Sequence, residues 1–160
     1  MSRKLTSAAL LGIMLAAAAP AALGAQENIM EMLRSDLRAD AQQITAVAMM
    51  LPNAEAEKFW PVYRAYELQR SQWTDRRLTV IKRYAEQYES MTDEASAAIA
   101  HDWFELQSAR LEMYRTYYSN VEAALGASVA ARAIQVENQL MTLIDLQIAQ
   151  EVPLIFNAGG

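Results

Sequence analysis

The side chains that could hold a metal ion lie in one short stretch of this 160-residue chain. His101 and Glu105 are four residues apart and would share a face of a helix, as two ligands of one metal ion must. Asp102 lies between them. The chain has no second histidine and no cysteine, so a third ligand would be another carboxylate or would come from a second chain. Such side chains are also common on solvated helix faces. We therefore predict no metal site and no cofactor, and keep His101 and Glu105 as the metal candidates.

Residues arranged for covalent or acid–base catalysis are hard to find. A Ser–His–Asp set needs a positioned base, and the single histidine lies within a predicted helix. The sequence contains no nucleophile elbow, no phosphate-binding glycine loop and no HExxH spacing. We therefore predict that the protein is not an enzyme.

Aromatic side chains recur at helical spacing along one predicted helix. Those that would form a surface for unfolded clients or partners are Phe59, Trp60, Tyr63, Tyr66, Tyr84 and Tyr88. The competing interpretation is a core, because helical spacing of apolar residues usually marks a buried face. Their packing partners would be the aromatic residues of the next helix, Trp103, Phe104, Tyr114 and Tyr117. Trp60 lies about 100° around the helix from Phe59, so we predict Trp60 at the rim and Trp73 in the core.

Three arginines interrupt otherwise apolar helix faces: Arg70, Arg77 and Arg110. A buried guanidinium needs a charged partner, because an unpaired buried charge is very costly. The carboxylates expected on the facing helices are Glu105, Glu112 and Glu137. We predict structural ion pairs that set the register of the helices. The alternative is that the arginines contact an acidic client.

These side chains belong to four predicted helices. Strong helix formers dominate, and neither tight hairpin turns nor sustained alternation of β-branched residues indicates a β-sheet. The spacing of apolar residues predicts helices at about 27–50, 54–90, 93–125 and 128–150. The second and third would each be about 50 Å long, so we predict an all-α fold, an elongated hairpin-like arrangement of four helices with two long central ones. Because a thin hairpin buries more surface when paired, we expect a homodimer.

The helix ends are marked by particular residues. Thr92 is suited to cap the third helix, Gly126 to follow its end, and Ser128 to cap the fourth. Pro61 lies inside the second predicted helix, where proline removes a backbone hydrogen bond. We predict a kink there, or a break at Trp60 that makes Pro61 the first residue of a new helix.

Residues 1–25 have the pattern of a secretory signal peptide. Two basic residues precede an apolar run at 8–19, and small residues follow it. The run is shorter than the roughly 20 apolar residues that span a bilayer. Cleavage is expected after Ala25, with Gly24 as the alternative. We predict export to the periplasm and a single all-helical domain at 26–160 without a transmembrane segment.

The chain that remains after cleavage is acidic. Loss of Arg3 and Lys4 leaves 12 basic and 19 acidic side chains, a net charge of −7. Nucleic-acid-binding proteins carry the opposite balance and a clustered basic face. We therefore expect no nucleic-acid partner.

Three helix junctions share a pattern in which an apolar residue is followed by a short turn and a helix start. They are "LPNAEAEKF" at Leu51, "MTDEASAAI" at Met91 and "LGASVAARAI" at Leu125. In a small all-α secreted chain, these junctions resemble those of the Spy/CpxP-like periplasmic proteins, which carry an LTxxQ motif. Ala95 stands where that motif has Gln. Longer segments that resemble one branch of the group are "FWPVYRAYE", "DRRLTVIKRYAEQY" and "ARAIQVENQLMTLIDLQIAQEVPL".

The resemblance implies a curved, antiparallel helical dimer. Proteins of this group act as ATP-independent chaperones, envelope-stress regulators or metal-stress sensors. We therefore predict a periplasmic, ATP-independent, chaperone-like or envelope-stress helper that binds unfolded clients or envelope partners on a helical face. The alternatives are a periplasmic metal or stress sensor and regulator, and a purely structural helical dimer.

Overall fold

The computed structural model describes residues 40–155, and every regular element in that range is helical. Residues 40–49 form α1. The longer helices are α2 at Asn53–Gln87, α3 at Asp93–Leu125 and α4 at Ala127–Glu151, with a 3₁₀ turn at Tyr88–Ser90 between α2 and α3. The predicted all-α fold with two long central helices is confirmed. The predicted signal peptide and the predicted helix before residue 40 lie outside the described residues.

α2 and α3 form an antiparallel hairpin. Near the connecting turn, Arg83 of α2 contacts Asp102 of α3. Farther from the turn, the Tyr66 ring stacks on the Tyr117 ring, with the two centroids 4.1 Å apart. With 35 and 33 residues, the two helices are each about 50 Å long. This is the hairpin expected from the sequence.

α4 folds back along the hairpin, antiparallel to α3 and parallel to α2. Its direction follows from its contacts with α2. Arg70 pairs with Glu137, and farther along both helices Tyr84 donates a hydrogen bond to the carbonyl of Pro153, just past α4. Long side chains therefore connect α2 to α4, and polar contacts are built into the interior of the bundle.

The core lies where the inward faces of the helices meet. α1 contributes Ala41 and Met49, and the Arg132 side chain of α4 donates a hydrogen bond to the Met49 carbonyl at 3.1 Å. The buried apolar and aromatic residues of the other helices are Phe59, Tyr63, Tyr66, Trp73, Tyr84, Leu106, Met113, Tyr117, Val121, Ala130, Ala133, Val136, Leu140 and Met141. Aromatic rings supply much of this buried surface, and large rings are strong contributors to core stability.

The long helices are apolar on one face and polar on the other. In α2 the buried residues recur every three or four positions, and exposed charged residues such as Arg64, Asp75 and Lys82 lie between them. Within residues 40–155, no helix combines the length and the apolarity needed to cross a bilayer.

Two of the three predicted helix-end residues behave as expected. The Thr92 hydroxyl accepts a hydrogen bond from the Ala95 amide at 3.2 Å and caps α3. Gly126 ends α3 with φ of 88°, a conformation that favours glycine. The predicted Ser128 cap is wrong. Gly126 reverses the chain in a single residue, and its carbonyl accepts from the Ala130 amide, so α4 already begins at Ala127.

Of the two alternatives predicted at Pro61, the break at Trp60 is wrong, whereas the kink stays a prediction. α2 runs without interruption from Asn53 to Gln87, and Pro61 lies on its exposed side. The carbonyl that loses its amide partner belongs to the residue four positions earlier, Glu57, which is exposed and can bond to water. On the opposite face, buried packing of Phe59 and its neighbours holds the helix together through this turn.

Candidate functional site

Most of the aromatic residues proposed as a binding surface lie in the core. Phe59, Tyr63, Tyr66 and Tyr84 are buried, with at most 6% of their surface exposed. Trp60 and Tyr88 are half-buried. The assignment of the four buried residues to client binding is therefore wrong. Their helical spacing places them on the face of α2 that the other helices cover.

The buried tyrosines pack against α3 as the core interpretation required. Tyr66 lies flat on Tyr117, with 18° between the ring planes. Tyr63 meets Tyr117 edge-on and Tyr66 meets Tyr114, in both cases with centroids 6.5 Å apart. Burial, followed by the negative charge of Glu137, raises the pKa values of Tyr66 and Tyr117. These hydroxyls therefore stay protonated while the protein is folded.

Trp103 and Phe104 are the aromatic residues that the structure leaves exposed. They retain 53% and 61% of their surface, and their rings meet edge-to-face with centroids 5.3 Å apart. The core interpretation of the sequence expected both to pack against α2. Trp103 does follow the spacing of the buried α3 residues, but it lies toward the open end of the bundle, where α4 gives way to the chain after Glu151. Phe104 lies about 100° farther around α3.

Other large apolar side chains are exposed on the remaining helices. They are Ile44, Val47 and Met50 near the start of the described chain, Leu68 on α2, Leu111 on α3, Leu143 and Leu146 on α4, and Leu154 and Ile155 after it. A single exposed leucine is ordinary, whereas neighbouring exposed apolar residues often mark a contact surface. The Trp103–Phe104 pair is the only place in residues 40–155 where two exposed aromatic rings touch.

One predicted ion pair is present deep between α2 and α4. The Arg70 Nη1 atom lies 3.2 and 3.1 Å from the two carboxylate oxygens of Glu137. The two side chains are 9% and 2% exposed. Burial by itself lowers the pKa of Arg70, but the Glu137 carboxylate, together with Tyr63 and Tyr66, outweighs burial and leaves that pKa raised. Glu67, one helical turn before Arg70, adds a second contact at 3.4 Å.

Arg77 and Arg110 share a partner that the sequence analysis missed. Asp145 of α4 lies 2.6 Å from Arg77 and 2.7 Å from Arg110. Both guanidinium groups also lie over the Trp73 ring, at 5.5 and 5.6 Å from its centroid. The Trp73 indole nitrogen in turn donates to the Leu106 carbonyl at 2.8 Å. The Asp145 carboxylate and the Trp73 indole thus hold α2, α3 and α4 in position relative to one another.

The predicted partners Glu105 and Glu112 are wrong for these arginines. Both are exposed on α3. Glu112 lies 3.8 Å from its own neighbour on the helix surface, Arg115. The spacing of the arginines could have identified Asp145. Arg70 and Arg77 are seven residues apart and Glu137 and Asp145 are eight apart, so in parallel helices both pairs fall in register.

A shallow groove lies between α2 and α3 beside this network. Its volume is about 550 Å³, and its charged lining residues are Arg76, Arg83, Asp102, Glu105 and Glu112. Arg83 and Asp102 contact each other within it, which neutralises two of the five charges. Five of the nine residues that line the groove are charged, whereas ligand pockets are lined mostly by apolar side chains with a few convergent polar groups.

The metal candidates His101 and Glu105 are both exposed on α3. Among residues 40–155, no three or more histidine, aspartate and glutamate side chains come close enough together to hold a metal ion.

The junction and helix segments that resemble the Spy/CpxP-like group fall on α2, α3 and α4 and on the turns between them. The resemblance itself remains a prediction from those segments. Comparisons of the chain with models of known families, with curated proteins and with solved structures found no match.

Proposed function

We propose that this protein is an ATP-independent, chaperone-like helper that holds apolar segments of unfolded or envelope proteins on its helical surface. The observation that carries the proposal is the exposed aromatic pair Trp103 and Phe104. Aromatic side chains dominate binding energy at protein interfaces because each buries a large apolar area with few rotatable bonds.

The support beneath the aromatic pair favours a preformed surface. Trp103 and Phe104 lie within the continuous helix α3. One and two helical turns farther along, Leu106 and Arg110 tie α3 to Trp73 of α2 and to Asp145 of α4. A surface held this way needs no nucleotide-driven movement to become available, and a rigid site loses less entropy on binding.

An aggregation assay tests the proposal. The protein is mixed at near-equal molar ratio with a chemically denatured test enzyme, without nucleotide, and light scattering is followed as the enzyme is diluted into buffer. We expect suppression of scattering by the wild type and loss of most of it in the double variant Trp103→Ala with Phe104→Ala. Leu68→Ala is the matched control, because Leu68 is equally exposed but stands alone on α2.

The two variants separate the possible results. Both remove exposed side chains, so their melting temperatures should stay close to that of the wild type. Suppression that survives in the double variant would exclude the aromatic pair as the client surface. A wild type that suppresses nothing would refute the proposed function.

Export to the periplasm and pairing of two copies belong to the same proposal. The pattern of residues 1–25 supports export. The outer face of α4 supports pairing, because Leu143 and Leu146 are three residues apart and both are exposed. Pairing through α4 would leave Trp103 and Phe104 free for a client.

A further inference from the structure

The negative charge of this protein is concentrated at one end of the bundle. That end, which we call the turn end, comprises residues 82–105 and 146–155, around the α2–α3 turn and the end of α4. It carries seven acidic and two basic side chains, a net charge of −5. The other described residues carry nine acidic and eight basic side chains, a net charge of −1. The asymmetry is therefore a property of the turn end.

Contacts between the helices hold the turn end together. Arg83 of α2 meets Asp102 of α3, and the Tyr84 hydroxyl donates to the Pro153 carbonyl at 2.7 Å. Because Arg83 is engaged with Asp102, Lys82 is the one basic side chain of the turn end without an acidic partner there. The exposed acidic residues that remain are Glu86, Glu89, Asp93, Glu94, Glu105 and Glu151.

The same end carries the exposed aromatic pair. Phe104 is next to Glu105 and ten residues from Glu94, a distance of about 15 Å along α3. An extended segment of about six residues spans about 20 Å. One such segment can therefore contact the aromatic rings and the acidic side chains together.

We propose that the turn end binds segments that are both apolar and basic, with aromatic and aliphatic side chains on Trp103 and Phe104 and lysine or arginine beside the acidic residues. This rests on the proposed function and adds to it the chemical class of the client. Exposed charges of this kind act mainly on the rate of encounter and on the choice of partner, whereas the apolar contact supplies most of the affinity. Segments with the same apolar content and acidic side chains are rejected.

Two dye-labelled peptides provide the test. One alternates leucine with lysine, and the other has glutamate in place of each lysine. Each exposed ion pair changes affinity by a factor of about 1.5 to 5, so three or more pairs predict about tenfold tighter binding of the lysine peptide in fluorescence anisotropy. The preference should shrink from 0.1 M to 1 M salt, as the Debye length falls from about 10 Å to about 3 Å.

A matched pair of triple variants locates the effect. Glu86→Gln, Glu89→Gln and Glu151→Gln remove three charges from the turn end, and we expect them to abolish most of the preference for the lysine peptide. The control removes the same number of charges from the opposite end, with Glu57→Gln and Glu122→Gln at exposed positions and Glu55→Gln at a half-buried one. The control should keep the preference.

Three results would overturn the inference. Equal binding of the two peptides, together with suppression of aggregation by the wild type, would remove the charge preference and leave the proposed function in place. If the two triple variants reduce the preference for the lysine peptide equally, the preference arises from the net charge of the protein and not from a site at the turn end. Dissociation of a dimer by Trp103→Ala and Phe104→Ala, seen by light scattering, would show that a second copy of this chain covers the pair.

Discussion

Replacing Glu137 by glutamine tests whether the interior ion pair stabilises the bundle. Glutamine keeps the shape of the side chain and removes its charge, so Arg70 is left buried opposite a neutral amide. Glu137 is 2% exposed and Arg70 is 9% exposed, so water cannot readily replace the lost partner, and Arg70 keeps only its longer contact with Glu67 at 3.4 Å. Breaking a buried ion pair at one side typically costs about 3–5 kcal/mol.

That loss is large compared with the stability of a small domain, which is typically about 5–15 kcal/mol. The free energy of unfolding is measured by urea titration followed by far-ultraviolet circular dichroism. We also expect the melting temperature to fall by at least about 10 °C. The matched control is Glu112→Gln, because Glu112 and its neighbour Arg115 are exposed and 3.8 Å apart, and such pairs contribute about 0–1 kcal/mol.

A double variant separates the charge from the packing. Arg70→Met with Glu137→Leu removes both charges and keeps most of the volume, and replacements of this type are often neutral or stabilising. We expect it to be more stable than Glu137→Gln alone. If Glu137→Gln lowers the free energy of unfolding by less than about 1 kcal/mol, Arg70 finds water or another partner. The description of Arg70 and Glu137 as an ion pair shielded from water would then be wrong.

Three further predictions concern the core and the surface. Trp73→Ala should lower the free energy of unfolding by about 3–5 kcal/mol, whereas Trp60→Ala should lower it much less because Trp60 is half-buried. Equal losses for the two variants in urea titration would contradict this. Raised pKa values should keep four tyrosines from ionising until the protein unfolds, namely Tyr63, Tyr66, Tyr114 and Tyr117. Unfolded tyrosine ionises near pH 10, so the free energy of unfolding should fall as the pH rises above about 10. The measurement is tyrosine absorbance at 295 nm, and titration of all tyrosines together near pH 10 would show that the rings are solvated. Leu143→Glu with Leu146→Glu should convert a dimer at micromolar concentration to a monomer in light scattering, and a wild type that is already monomeric would refute pairing.

The helices could be predicted because their ends are marked by local chemistry. Thr92 and Gly126 act within one turn of the chain, so the sequence around them is sufficient to place the bounds of α3. Pro61 could not be judged in the same way. The free-energy cost of a proline inside a helix depends on the local sequence, but the packing that outweighs it comes from helices far away in the sequence.

The side chains at the surface were harder to predict than the helices. Trp103 has the spacing of a core residue, yet exposure depends on where α4 ends relative to α3, and no local pattern records that. Asp145 was missed for a related reason. Acidic residues are present on every helix, and the choice among them depends on whether α2 and α4 run parallel, which only the assembled bundle establishes.

The interior ion pairs and the acidity of the surface have a common origin. Arginines at inward positions need carboxylate partners, because a buried unpaired charge is not tolerated. Arg70, Arg77 and Arg110 are therefore engaged with Glu137 and Asp145 between the helices. The more exposed Arg83 is engaged with Asp102. Basic side chains that hold the helices in register are not available to balance the exposed glutamates, and at the turn end only Lys82 remains to do so. The residues that make the bundle rigid thus also leave its aromatic surface with a negative rim, which is the combination that favours basic, apolar segments over acidic ones.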